Sequence, residues 1–515
     1  MSRLAAIARR YRRTRRFMPP IARSSGLAAT LIATVLLWSS IAMAAGTGRA
    51  ALPDLRALAQ HARVSALVVR LRDMHPIAAL NPDERLRPAS VSKLFSASAA
   101  LQQFGPAHRF TSRFASHGAI SHGTLNGDLV FVGGGDPSLD NRRLHELVMR
   151  LKARGVDKVS GNLVIDQGLW GQVPCLTQDR CDAHERASHA YSAPLSSAGV
   201  NFGTVMATVY PGDSAGAPTR VVLHPEGLPG YRIDNQVNTV PASAKTSLMA
   251  WRTYDGRRST LHIRGTLAVG HGPYDFQRAV TGAAAETARV LSAMLANAGI
   301  PVAGTVITRS GNVNTDGTTL ARVQSASLAE QLIAMMAYSN NYMADTLTLD
   351  VAANSGQSLP LSLPRASQAL EALSARANAF AYPKAAAGNA IFDSGSGLSL
   401  GNRVSARDLV SLLAYMFHQN ALFPAFYGSL PVPASAPSKT LKHGNSDFET
   451  RLVAKTGTLS DPVTVRALAG YFRLADGGFA AYGIVINGTK SKPNLTYRQT
   501  VMAYQDDLEG ILARH

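Results

Sequence analysis

Apolar residues follow three rhythms along this chain. An unbroken apolar run over 26–38 follows an arginine-rich stretch and leads into Ala42-Met43-Ala44. Over 88–101 the rhythm is helical: Val91, Leu94, Phe95, Ser98 and Leu101 share one face, and Gly105-Pro106 stops the run. From about 112 to 310 it turns to short β-type runs at 128–132, 162–166, 205–210, 220–224 and 260–268, separated by Gly, Pro and Asp clusters. A helix over 283–297, ended by Gly299, closes that region. Helical spacing returns at 328–338, 340–352, 366–377 and 406–418, the last capped by Ser405 with Asp408. Strands are expected over 451–459, 466–474 and 479–487, the last two joined through Ala475-Asp476-Gly477-Gly478, and a helix over 496–513 ends the chain. Near the start, a short helix over 52–62 and a strand over 65–71 complete the pattern.

Terminal helices with an antiparallel sheet, split by about 200 β-rich residues, predict a mixed α/β, α+β-like fold. The insertion is too long to be a loop. The expected division is a signal peptide over 1–44, a first catalytic part over 45–112, an inserted β-rich region of two subdomains over 113–310, and a second catalytic part over 311–515. The basic start, apolar run and Ala-x-Ala site read as an export signal that places the bulk of the chain in the periplasm; a retained membrane anchor is the alternative.

Composition and charge narrow the classes. With 515 residues, 46% hydrophobic and 17% charged, the chain can bury a large core and is not disordered. The net charge of +19 suggests nucleic acid, but eight of those charges are arginines in the first 44 residues, which hold no acid. No basic stripe interleaved with aromatics follows, so nucleic-acid binding is excluded as a reading and an anionic envelope surface fits better. Cys175 and Cys181 fit a small disulfide loop in an oxidising compartment; with His184 and His189 their spacing matches no standard zinc pattern. Neither a metal nor a cofactor motif is found. Gly133-Gly134-Gly135 lacks the Lys-Ser or Lys-Thr of a phosphate loop and reads as a turn.

Three short motifs carry chemistry. Ser90-Val91-Ser92-Lys93 is the only Ser-x-x-Lys; one helical turn puts an amine beside a hydroxyl, at a helix start that favours developing negative charge. Ser339-Asn340-Asn341 sits between two helical runs, although Ser-x-Asn also occurs at Ser160 and Ser310. Lys455-Thr456-Gly457-Thr458 is the only Lys-Thr-Gly and lies in a strand-like run. Singly, each has an ordinary structural explanation. Their order and local setting form the signature set of penicillin-recognising serine enzymes.

The chain resembles the low-molecular-mass (class C) penicillin-binding proteins of the D-alanyl-D-alanine carboxypeptidase/endopeptidase type, the peptidase family with a large inserted region. The stretch 127–139, Tyr191-Ser192-Ala193-Pro194, Asn201-Phe202 and the glycine-rich 393–399 contribute to the resemblance. Departures are Asn340, where Asp is common, and Asp345, where Glu is usual. The resemblance implies a penicillin-binding-protein/β-lactamase-like transpeptidase domain and a serine DD-peptidase acting on peptidoglycan stem peptides, with β-lactams as inhibitors. It implies Ser90 as nucleophile, Lys93 as general base and Ser339 as proton relay. Asn341 would hold Lys93 and the substrate amide; Lys455, Thr456 and Thr458 would receive the terminal carboxylate; Gly457 belongs to the same motif. Backbone N–H groups of Ser90 and Thr458 would form the oxyanion hole. The alternatives are a β-lactamase and a non-catalytic peptidoglycan-binding or penicillin-sensing protein.

Overall fold

A computed structural model describes residues 52–515 except 176–180, 182–188, 312–316 and 385–389. The expected signal peptide over 1–44, His184 and Asn312 therefore lie outside the described residues. Among the described residues no helix is long and apolar enough to cross a membrane.

The sheet nearest the catalytic motifs draws on both ends of the chain. Strands β1 (Arg63–Arg70) and β2 (His75–Leu80) join β3 (Leu452–Leu459), β4 (Val465–Arg473) and β5 (Phe479–Asn487), in the order β3-β4-β5-β1-β2. Every pairing is antiparallel. Side chains alternate between two faces, because successive Cβ atoms of a strand point opposite ways. On β1, Leu67 and Val69 enter one core, while Val64, Ala66 and Val68 enter another. On β5, Ala481 and Val485 divide from Tyr482, Ile484 and Ile486 in the same way. Covered on both faces, these strands read in sequence as nearly continuous apolar runs. Helix Ala503–Leu512 and the short Pro53–Leu58 cover one face.

The other face carries the helical cluster: α1 (Lys93–Phe104), α2 (Asn341–Asn354) and α3 (Ala406–Phe417), with Leu328–Ala337 and Leu363–Ala381. The one-faced stripe expected for the first of these is an understatement. Residues 93–101 are buried all round, because neighbouring helices surround α1. Its first turn is also tighter than expected: Ala89–Ser92 is a 3-10 turn and the α-helix begins at Lys93.

Between α1 and Leu328 the chain builds a second core. Thr111–Ser116 pairs with Thr318–Gln324 at one side of a five-stranded mixed sheet, which also holds Leu129–Val132, Leu163–Asp166 and Val306–Arg309. Two three-stranded sheets follow, one of Arg220–His224, Thr204–Tyr210 and Tyr274–Ala279, the other of Tyr231–Val240, Ser259–Ala268 and Ser247–Tyr254. The region is not purely β. Helix Asn141–Ala153 buries Leu144, Leu147, Val148 and Leu151, and its N-terminal Arg143 N–H is capped by the Asp140 side chain. Cys175 and Cys181 are joined by a disulfide.

Candidate active site

Four elements converge on one cleft of about 880 Å³. The 3-10 turn before α1 supplies Ser90, the turn before α2 supplies Ser339, the first residue of α2 supplies Asn341, and β3 supplies Thr458; all four line the cleft. The remaining walls are Tyr191, the loop at 397–401 and residues 459–462.

Each serine stands on a buried lysine. Lys93, fully buried, donates from Nζ to Ser90 Oγ at 2.9 Å, to Asn341 Oδ1 at 2.7 Å and to the Ser396 carbonyl at 2.8 Å. Three acceptors match the three donors of an ammonium. Lys455 donates to Ser339 Oγ and to the Thr456 carbonyl, both at 2.9 Å. Burial lowers its pKa from the ordinary lysine value to about 7, because a charged amine loses hydration there.

Backbone geometry explains why these residues stand where they do. Ala89 and Ser339 hold φ of 49° and 54°, left-handed values that side-chain-bearing residues seldom adopt and that cluster at functional sites. Asn340 caps α2 by accepting the Met343 N–H at 3.1 Å, a task Asp would perform equally well. At Gly457 the strand passes so close to the nucleophile turn that a Cβ would meet the Pro88 carbonyl oxygen at 2.6 Å and Ser90 N at 3.2 Å. Glycine lets β3 run against Ser90.

All eight residues singled out from sequence fall in this one region, in different positions. Ser90, Ser339, Asn341 and Thr458 face the cleft; Lys93 and Lys455 lie beneath it; Gly457 backs the nucleophile turn. Thr456 is half-buried and not among the lining residues; its carbonyl accepts from Lys455. Two contributors carried no assigned role in the sequence. Tyr191, half exposed and stacked on His189 at 5.1 Å, accepts the Asn341 Nδ2 hydrogen at 3.2 Å through its carbonyl. Ser396 contributes its carbonyl to Lys93, and its N–H is accepted by Asp345 Oδ1 at 2.8 Å. Both act largely through the peptide backbone, which leaves no mark in residue type.

Such a pair of lysine-backed serines can acylate one hydroxyl and pass a proton through the other. A family model described as the D-Ala-D-Ala carboxypeptidase 3 (S13) family matches residues 50–508. A D-alanyl-D-alanine carboxypeptidase from an Actinomadura species is 30% identical over 437 residues, spanning 81% of this chain and 76% of that protein. D-alanyl-D-alanine carboxypeptidase DacB of Haemophilus influenzae is 25% identical over 477 residues, spanning 89% and 92%. The crystal structure of penicillin binding protein 4 (dacB) from H. influenzae matches with a TM-score of 0.71 at 24% identity, over 89% of this chain and 99% of that one. The same protein complexed with a novel β-lactam matches over the same shares with a TM-score of 0.68. These two structures show a shared fold.

Proposed function

Because the chain belongs to the D-Ala-D-Ala carboxypeptidase (S13) family and is therefore a serine DD-peptidase, we propose that Ser90 is its acylated nucleophile and Lys93 the base that activates it. The observation that carries this reading is the 2.9 Å hydrogen bond between Lys93 Nζ and Ser90 Oγ at the floor of the cleft.

In the proposed cycle Lys93 starts as the neutral amine, its proton released to solvent, and takes the Ser90 hydroxyl proton as Oγ attacks the carbonyl carbon of the penultimate D-alanine. The backbone N–H groups of Ser90 and Thr458 hold the oxyanion; the close approach of Gly457 to Ser90 N supports that pairing. The peptide C–N bond breaks as Ser339, bonded to Lys455, relays the proton held by Lys93 to the departing amine, which leaves Lys93 neutral again. Asn341 orients the substrate amide and Lys93. Water then cleaves the ester, and its proton restores the Ser90 hydroxyl.

Lys455, beneath the cleft, supplies positive potential for the substrate's terminal carboxylate, with the Thr458 hydroxyl on the cleft wall and Thr456 and Gly457 completing the strand segment. The ligands are peptidoglycan stem peptides, and β-lactams acylate the same serine. The β-lactam complex of the H. influenzae protein supports this as an analogy. We place the enzyme in the periplasm, exported by the segment over 1–44. The division at 45–112, 113–310 and 311–515 is supported by the pairing of Thr111–Ser116, which spans the first boundary, with Thr318–Gln324, a few residues beyond the second. Tyr191, from the insertion, lines the cleft and supports a role for that region in substrate contact.

Intact-mass measurement after penicillin treatment tests the assignment. One adduct is expected on the wild type and none on Ser90→Ala; an adduct persisting on Ser90→Ala overturns it.

A further inference from the structure

Lys93 has an acceptor at each side, and the two are tied to one helix. Asn341 Oδ1 accepts directly from its Nζ, and Ser396 accepts through its carbonyl. The Ser396 peptide is itself gripped from behind, where its N–H donates to Asp345 Oδ1 at 2.8 Å. Asp345 is fully buried and lies one helical turn beyond Asn341, on the same face of α2. The path from carboxylate to ammonium is therefore Asp345, one peptide unit, Lys93. A buried carboxylate polarises the peptide it accepts from, which strengthens the hydrogen bond at that peptide's carbonyl end.

We propose that Asp345 is a positioning residue for Lys93: it fixes the Ser396 peptide so that its carbonyl aims the amine at Ser90, and its charge favours the protonated amine. This rests on the reading of Ser90 and Lys93 given above. The surrounding loop has other anchors. Asn402 Oδ1 accepts from the backbone of Asp393 and Ser394, and Ser96 donates to the Gly395 carbonyl at 2.7 Å. These anchors of the loop remain when Asp345 is removed. The ionisable groups on the elements that supply the partners of Lys93 and Ser339 are Asp345, Tyr342 and Asp350 on α2, Lys455 on β3 and Asp393 on the loop. Tyr342 is bonded to the Ser196 carbonyl, Asp350 to Trp170 and Lys455 to Ser339, while Asp393 accepts from Ser399. Of these, Asp345 is the one joined to Lys93 through the Ser396 peptide.

The test is the pH profile of β-lactam acylation in Asp345→Ala and Asp345→Asn, with thermal melting run alongside. Asp345→Ala is expected to lower the plateau rate roughly ten- to hundredfold, the scale of a small misplacement of a reacting group. Asp345→Asn, still able to accept from the Ser396 N–H, is expected to lose less. In both, loss of the negative charge makes the ammonium easier to deprotonate, so the acid limb moves to lower pH. A lesion that is only structural scales the profile without moving it. Wild-type rates in Asp345→Ala, or unshifted limbs in both variants, overturn the proposal. Lys93→Ala separates the two levels. If it retains acylation, the reading of the site fails. If it is inactive while the Asp345 variants keep the wild-type profile, only the role of Asp345 fails.

Discussion

The two ends of α2 treat a buried carboxyl differently. Near the N-terminus Asp345 accepts a peptide N–H, one hydrogen-bonded step from a buried lysine. Near the C-terminus Asp350 accepts the Trp170 indole N–H at 3.0 Å, but its other oxygen is buried without a hydrogen-bond partner among the described residues. Burial drives the Asp350 pKa well above the usual carboxylate range, and the neighbouring Asp136 adds to the rise. Burial raises Asp136 as well. One end of the helix thus reaches a buried amine beside an open cleft; the other presses a buried acid against the inserted region. The contact there is close: Gly135, with φ of +69°, has the Asp350 carboxyl where a Cβ would stand. Chemistry and architecture share one helix and are separable along it.

The sharpest break of that comparison is Ser90→Ala. It is expected to abolish acylation while leaving the thermal midpoint within about two degrees, since a half-buried surface serine contributes little to folding. Lys93→Arg comes next. Guanidinium stays protonated, so acylation should fall on the order of a hundredfold or more, almost as far as in Lys93→Ala; an arginine variant that keeps most activity shows that charge alone matters there. At the other end of the helix, Gly135→Ala should act on stability instead. The left-handed backbone and the overlap with Asp350 together cost roughly 2 kcal/mol or more, read by denaturant unfolding, with the acylation rate of the folded protein changed by less than about threefold. A large rate loss in that variant breaks the separation.

The smallest effect is a pH dependence. Burial holds Lys455 near a pKa of about 7, so its positive charge is lost as pH rises through that value. For peptides with a free terminal carboxylate, kcat/KM should fall on that side of the profile by up to about tenfold per pH unit. A C-terminally amidated substrate should lack this limb. An identical limb for both assigns it to another group.

Much of this was written in residue types. Ser90, Lys93, Ser339, Asn341 and the Lys455 segment could be named because their chemistry needs particular side chains at fixed spacings. The strands β4 and β5 were legible because both faces are buried and the Gly477-Gly478 turn separates them. Helix Asn141–Ala153 was not, because its four buried leucine and valine positions are diluted by Arg142, Arg143, Arg150 and Lys152 within a region of β texture. Strand Tyr231–Val240 is exposed at half of its positions and carries Asp234, Asn235 and Gln236, so no apolar alternation marks it. Its pairing is parallel to Ser259–Ala268, a long-range partner that sequence pattern cannot supply. The Asp345 to Ser396 contact was hidden for a related reason: it joins a side chain to a peptide 51 positions away.

The order of strands in the catalytic sheet carries a consequence for biosynthesis. Arg63 pairs with Asn487 and Arg70 with Ala480, so the left and right halves of that sheet are made at opposite ends of translation. The inserted block can close much earlier, once Thr318–Gln324 meets Thr111–Ser116. Until β5 emerges, β1 has only β2 beside it and leaves an open apolar edge, the state most prone to mispairing. Lys93 and Lys455 lie far apart in the chain, on α1 and on β3, so their segments can meet only once β3 has been made. The two buried lysines of the cleft are therefore brought together late, after most of the polypeptide has been delivered.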